Sequence, residues 1–170
     1  MDKRVEGLIN NLRARNIRGF YCKDKEAAAA KILELIPADA SIGGSGSKTL
    51  EELMILKKLE ERGNKIFNQN RPGLTREESL KLRRQGAQEA DFYLSSPNAV
   101  AESGELVFFS AFGNRSAGIS YANKVIAVCG INKIAVNLEE AVKRARQYAT
   151  PLNCKRLDWN TPCAKDGVCK

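Results

Sequence analysis

Histidine is missing from the chain altogether. Its absence removes Ser-His-Asp and Cys-His catalysis, histidine zinc sites and the commonest general base near neutral pH. Acid or base chemistry therefore falls to Glu, Asp, Lys, Cys or Tyr, or to a bound cofactor. Aromatic residues are sparse, with one Trp, four Tyr and six Phe. No basic-aromatic recognition motif is visible, so nucleic acid is not the expected partner. No apolar run approaches the roughly 20 residues needed to span a bilayer. The first residues, Met1-Asp2-Lys3-Arg4-Val5-Glu6, lack the apolar core of a secretory signal. A cytoplasmic chain without a membrane span is the expectation.

What is present describes a globular protein. Its 170 residues suffice for one domain with a full core, and 43% are hydrophobic against 28% charged. The net charge of +8 favours anionic ligands. Basic residues outnumber acidic ones 18 to 13 before residue 90 and 10 to 7 after it, so neither half is a basic tail. The five cysteines, Cys22, Cys129, Cys154, Cys163 and Cys169, are odd in number, which argues against a disulfide framework.

Periodicity predicts an amphipathic helix over 3–16, a short strand over 19–22, and an Ala-rich helix that Asp24 caps and Pro37 stops. Residues 40–43 read as a buried strand. A helix follows, with Thr49 and Glu52 at capping-box spacing and Gly63 at its end. Residues 65–67 form a strand, and a charged helix spans 75–88 with Thr75 and Glu78 as its cap. Residues 91–94 form a strand, and 99–101 and 106–109 read as a hairpin across Ser103-Gly104. A buried strand over 124–129 and a last helix over 138–148 complete the series, with Pro151 just beyond. Alternating strands and helices predict an α/β fold over 1–150: a three-layer, largely parallel, Rossmann-like sheet with helices on both faces and a small antiparallel insertion. Residues 151–170 read as a basic, cysteine-containing tail with little structure.

Five features could carry chemistry. Gly43-Gly44-Ser45-Gly46-Ser47-Lys48-Thr49 joins a strand to a helix, where backbone amides can approach an anion. It completes neither a Walker A loop nor a dinucleotide fingerprint, and a tight, well-capped turn is the alternative. Glu102, between two short apolar stretches, is a candidate acid, base or nucleophile, or an exposed turn acid. Asn98 belongs to the same stretch. In Gly113-Asn114-Arg115 the arginine can hold a carboxylate or phosphate bidentately, unless Asn114 merely caps a helix and Arg115 is solvated. Gly130-Ile131-Asn132-Lys133 follows a strand, as the glycine loop does. Ligands bind beyond the carboxyl ends of strands in open α/β sheets, so these two loops and the loop after Leu94 are expected to converge. Cys154-x8-Cys163-x5-Cys169 offers three soft ligands for zinc or an iron–sulfur cluster, or is a reduced tail. Lys143, Arg144, Arg146, Lys155 and Arg156 form an acid-free basic run, suited to a helix C-terminus or to an acidic partner.

Taken in order, several motifs resemble the lactate-utilization (LUD) domain family. They are Ile42–Ser47 with Thr49 and Glu52, Asn98–Val107, Gly113–Arg115, Val128–Lys133, Ala149–Asn153 and Thr161–Lys165. The resemblance covers nearly the whole chain. It implies a sheet similar to that of the ribose-phosphate isomerase and CoA-transferase superfamily, whose members bind sugar phosphates or CoA thioesters at strand ends. It also implies a setting in which iron–sulfur partner proteins assist lactate oxidation. Similar members tend to continue past the equivalents of Cys163 and Cys169 into further cysteines.

Two functions follow as expectations. In the first, a small anionic metabolite is held by the Gly43–Ser47 amides and neutralised by Arg115 and Lys133. Asn98, Asn114 and Asn132 orient it, and Glu102 is the acid or base. In the second, the chain is a non-enzymatic redox or assembly subunit that docks an iron–sulfur partner through its basic, cysteine-containing C-terminus. Phe108, Phe109 and Phe112 could line a pocket or form a homodimer contact.

Overall fold

A computed structural model describes residues 2–170. In chain order the elements are α1 (Lys3–Ala14), α2 (Lys25–Leu35), β1 (Ile42–Gly44), α3 (Lys48–Glu52), α4 (Ile55–Glu61), α5 (Arg76–Gln88), β2 (Phe92–Ser95), β3 (Ala99–Ala101) and β4 (Leu106–Val107). They continue with α6 (Asn114–Tyr121), β5 (Lys124–Ala127), a 3-10 turn (Ile131–Lys133), β6 (Ile134–Ala135), α7 (Leu138–Arg144), a π turn (Ala145–Ala149), α8 (Thr150–Arg156) and α9 (Pro162–Asp166). The mixed α/β class is as expected. The strands, however, divide between two three-stranded sheets, β1-β2-β5 and β4-β3-β6. No described helix is long and apolar enough to cross a membrane.

The chain forms two compact units. One comprises Cys22–Ser96 and Ser110–Cys129; the other comprises the chain up to Tyr21 with Pro97–Phe109 and Gly130–Lys170.

The Cys22–Ser96 unit holds the parallel sheet. β1 pairs with β2 from Ile42↔Phe92 to Gly44↔Leu94, and β2 pairs with β5 from Phe92↔Lys124 to Ser95↔Ala127. Ile66 adds one parallel bridge on the other side of β1. The expected strand at 65–67 is thus a single contact. Ile32, Ile36, Ile42, Leu50, Leu53, Ile55, Leu59, Ile66, Phe92 and Leu94 are the larger members of its core. Asp91 latches the amino ends of β1 and β2: its Oδ2 accepts from Ser41 N at 2.8 Å and Ser41 Oγ at 2.7 Å. Those two bonds hold its carboxyl below the usual range.

Several boundaries differ from the sequence reading. Ser47, not Thr49, caps α3: its hydroxyl accepts from Leu50 N at 3.4 Å. Met54, at φ 51°, then splits the expected single helix into α3 and α4. The Thr75–Glu78 capping box forms as expected. The strand expected to be buried, β5, is an edge strand with Lys124, Val125 and Ala127 exposed, because only β2 pairs with it.

The other unit has an alanine-rich core of Ala99, Ala101, Val107, Ala135, Ala141 and Ala145. The hairpin forms as read, with Ala99↔Val107 and Val100↔Leu106 antiparallel, while β6 joins β3 in parallel. Gly104 turns the hairpin at φ +100°, and Arg15 donates from Nε to Ser103 O at 3.0 Å. Residues 19–22, expected as a strand, form none, and Phe20 and Tyr21 are exposed. The tail is more ordered than its composition suggests. The helix does not stop at Pro151. A π turn absorbs the missing proline N–H, and α8 continues to Arg156 before α9 forms.

Candidate functional site

The sheet of the Cys22–Ser96 unit has a topological switch point. From β1 the chain passes through α3 and α4 to Ile66 on one side, whereas β2 leads on to β5 on the other. The connections leaving the carboxyl ends of β1 and β2 therefore diverge, and such a divergence opens a ligand crevice.

Small polar groups line those two strand ends. Ser45 N donates to Leu94 O at 3.0 Å, continuing the ladder one residue beyond β1. The Ser45 and Ser95 hydroxyls then meet at 2.9 Å, both buried. Ser96 Oγ donates to Thr49 Oγ1 at 3.4 Å, and Gln69 Nε2 donates to Gly44 O at 2.9 Å. Gly46 is the exposed residue of this otherwise buried loop.

Arg115 enters from the first turn of α6, which starts after Gly113 at φ +76°. Its Nη2 donates to Gly46 O at 3.0 Å and its Nε to Ser45 Oγ at 3.4 Å. Burial presses its pKa below the ordinary arginine value, and Tyr93 opposes that shift. An arginine keeps its charge under such a shift. Tyr93, on β2, donates from its hydroxyl to Asn114 O at 2.9 Å. Burial raises the phenol to about 12, against the attraction of Arg115 and Arg83 for the phenolate. Arg83 is itself partly desolvated and stacks on Phe112 at 4.6 Å. The strand ends thus carry hydroxyls and positive charge.

The Tyr93 value sets a pH dependence. The unfolded chain ionises near 10 and the folded chain near 12. Above pH 10 the unfolded state therefore holds fewer protons, and stability falls with rising pH until both states are ionised. The loss at full effect is roughly 2–3 kcal/mol. Urea titrations at pH 8, 10 and 11 should show the fall in wild type, and Tyr93→Phe should remove the Tyr93 part of it. An identical alkaline slope in the variant refutes the assignment.

The remaining sequence candidates fall in the other unit. Asn98 closes the hairpin: its Oδ1 accepts from Phe109 N at 2.9 Å, and its carbonyl accepts from Arg144 Nη1 at 2.5 Å. Lys133 Nζ donates to Pro97 O at 3.2 Å. The Asn132 amide folds back over Gly130, leaving only 2.6 Å to a Cβ built there. The Glu102 carboxylate pairs with Arg4 Nε at 2.5 Å, and Arg4 Nη2 also reaches Ile134 O at 3.0 Å. As a base, Glu102 would first have to release Arg4. Among the basic run, Arg144 has the buried-side role, reaching Asn98 O and stacking on Tyr148 at 5.2 Å.

Cys154 and Cys163 meet in this unit, with Sγ atoms 3.6 Å apart. Among the described residues no three Cys, Asp or Glu side chains come together as a metal ion requires. Cys22 and Cys129 belong to the Cys22–Ser96 unit.

Sequence reading missed Tyr93 and Gln69. It named the loop after Leu94, which holds Ser95 and Ser96, as a strand-end loop without singling out either hydroxyl. Tyr93 and Gln69 carried no local signal.

The chain is a mixed α/β protein with small polar groups at the carboxyl ends of β1 and β2. The LUD domain family model matches residues 5–167, so the chain belongs to the LUD domain family, which is related to lactate utilization. No curated protein and no solved structure matches the chain significantly.

Proposed function

We propose that the chain binds a small anionic metabolite, a hydroxy acid or a phosphorylated compound, in lactate or related carboxylate utilization. The site is the crevice beyond the carboxyl ends of β1 and β2. The observation that carries this reading is the Arg115 guanidinium seated on the Gly43–Ser47 loop at the switch point. Its contacts with Ser45 Oγ and Gly46 O orient it. A partly desolvated guanidinium pairs strongly with a carboxylate or phosphate, since water competes less for both charges. The neighbouring serine hydroxyls add donors that a carboxylate, a hydroxy acid or a phosphate can use. Asn114, beside Arg115 in the first turn of α6, gives its carbonyl to the Tyr93 hydroxyl.

A thermal-shift screen of wild type and Arg115→Ala against lactate, other hydroxy acids, sugar phosphates and CoA esters tests the proposal. A true ligand at 100 times its dissociation constant adds about 2.7 kcal/mol of stability. That shift should vanish in Arg115→Ala and be largely lost in Arg115→Lys, which keeps the charge without the fork. An equal shift in all three proteins, or none with any compound, refutes the site.

A further inference from the structure

The backbone brings Cys154 and Cys163 together and ties down the segment that bears Cys169. α8 carries Cys154, and Trp159 N returns to Cys154 O at 2.9 Å, turning the chain back. α9 then presents Cys163. Gly167, at φ +77°, ends α9 by donating to Cys163 O at 3.0 Å. Cys169 N finally donates to Arg146 O at 2.9 Å, which ties the chain end to the π turn.

The three thiols differ in environment. Cys154 and Cys163 are buried, 6% and 8% exposed, with sulfurs in van der Waals contact at 3.6 Å. Cys169 is partly exposed, with its backbone N–H held on Arg146 O at 2.9 Å. Thr161 Oγ1 lies 3.4 Å from Cys163 Sγ. A disulfide bond requires about 2 Å between sulfurs. The remaining approach of about 1.5 Å lies within the reach of side-chain rotation.

We propose that Cys154 and Cys163 are a reversible dithiol–disulfide couple, loaded through Cys169 by exchange with a low-molecular-weight disulfide. The Cys169 thiolate attacks one sulfur of that disulfide, and the first small thiolate leaves. Cys163 then attacks the Cys169 sulfur of the mixed disulfide, expelling the second small thiolate. Cys154, on losing its proton, attacks Cys163 and releases Cys169 as a thiol. The protein loses two hydrogens and two electrons, and the disulfide is reduced to two thiols. Burial of the final bond protects it from direct attack, and the partly exposed Cys169 supplies the entry.

The test uses the full chain, reduced, freed of reductant and exposed to oxidised glutathione, with alkylation and peptide mapping over time. Metal content is measured first. The expected product has Cys154 joined to Cys163, with Cys22, Cys129 and Cys169 still open to alkylation, and dithiothreitol restores all five thiols. Cys169→Ser should reach the same product about tenfold more slowly. Cys154→Ala should stop at a mixed or Cys163–Cys169 disulfide. Wild type carries the main test, so misfolding of a variant does not rescue the idea. Five thiols that stay open refute it. So does a final bond between any other pair, an unchanged rate in Cys169→Ser, or a stoichiometric metal whose removal is needed before oxidation.

Discussion

Gly43→Ala is expected to destabilise the protein by about 3 kcal/mol or more, the largest effect of any single methyl addition in the chain. A Cβ at Gly43 would lie 1.9 Å from Gly86 O, 2.6 Å from its carbonyl carbon and 2.9 Å from its Cα. All three are backbone atoms of α5, so no rotamer change relieves the clash. Either β1 or α5 must move, and β1 is hydrogen-bonded to β2 while α5 carries its own capping box. Natural domains have only about 5–15 kcal/mol in hand, so such a loss is large. It would also displace the Ser45 loop, and ligand response should fall with stability. Gly46→Ala is the control, since a Cβ there meets only Asn70 Nδ2 at 3.9 Å. Urea unfolding should give a much lower midpoint for Gly43→Ala than for Gly46→Ala. Equal midpoints would mean that β1 and α5 do not approach this closely.

Gly118→Ala should cost about 2 kcal/mol, by a different route. A Cβ on this α6 residue would sit 2.3 to 2.5 Å from Cζ, Cε2 and Cε1 of Tyr93. The obstacle here is a side chain, but one held at its tip by the bond to Asn114 O. The cost should therefore depend on the ring. In a Tyr93→Leu background the same Gly118→Ala change should cost at least about 1 kcal/mol less, a coupling that a double-mutant cycle measures directly. Additive effects would show that the ring is not the obstacle. Since α6 also carries Asn114 and Arg115, this packing sets how far the guanidinium reaches toward Gly46.

Much of the local structure was legible from sequence because its causes are local. Asp24 caps α2 by accepting from Ala27 N at 2.7 Å, and Thr75 with Glu78 caps α5. The hairpin across Ser103-Gly104 formed where a glycine at positive φ was needed. Misreadings arose where a distant partner decided the outcome. Residues 19–22 have strand composition but found no ladder partner. β5 is as apolar as a central strand yet lies at an edge. Pro151 is a reliable stop in isolation, but a π turn carried the helix past it.

The candidate site divides in the same way. The Gly43–Ser47 loop and Arg115 were both identifiable as residue types suited to anions, while the contact that joins them spans 70 residues of chain. Sequence by itself determined the α/β class, the lack of histidine chemistry, the positive charge and the family. Tertiary structure alone decided that the strands form two sheets, that Ser45 meets Ser95 at a switch point, and that Cys154 touches Cys163. The reason is physical: caps, turns and periodicity act within a few residues of chain, whereas strand order and side-chain meetings depend on long-range packing that no local pattern encodes.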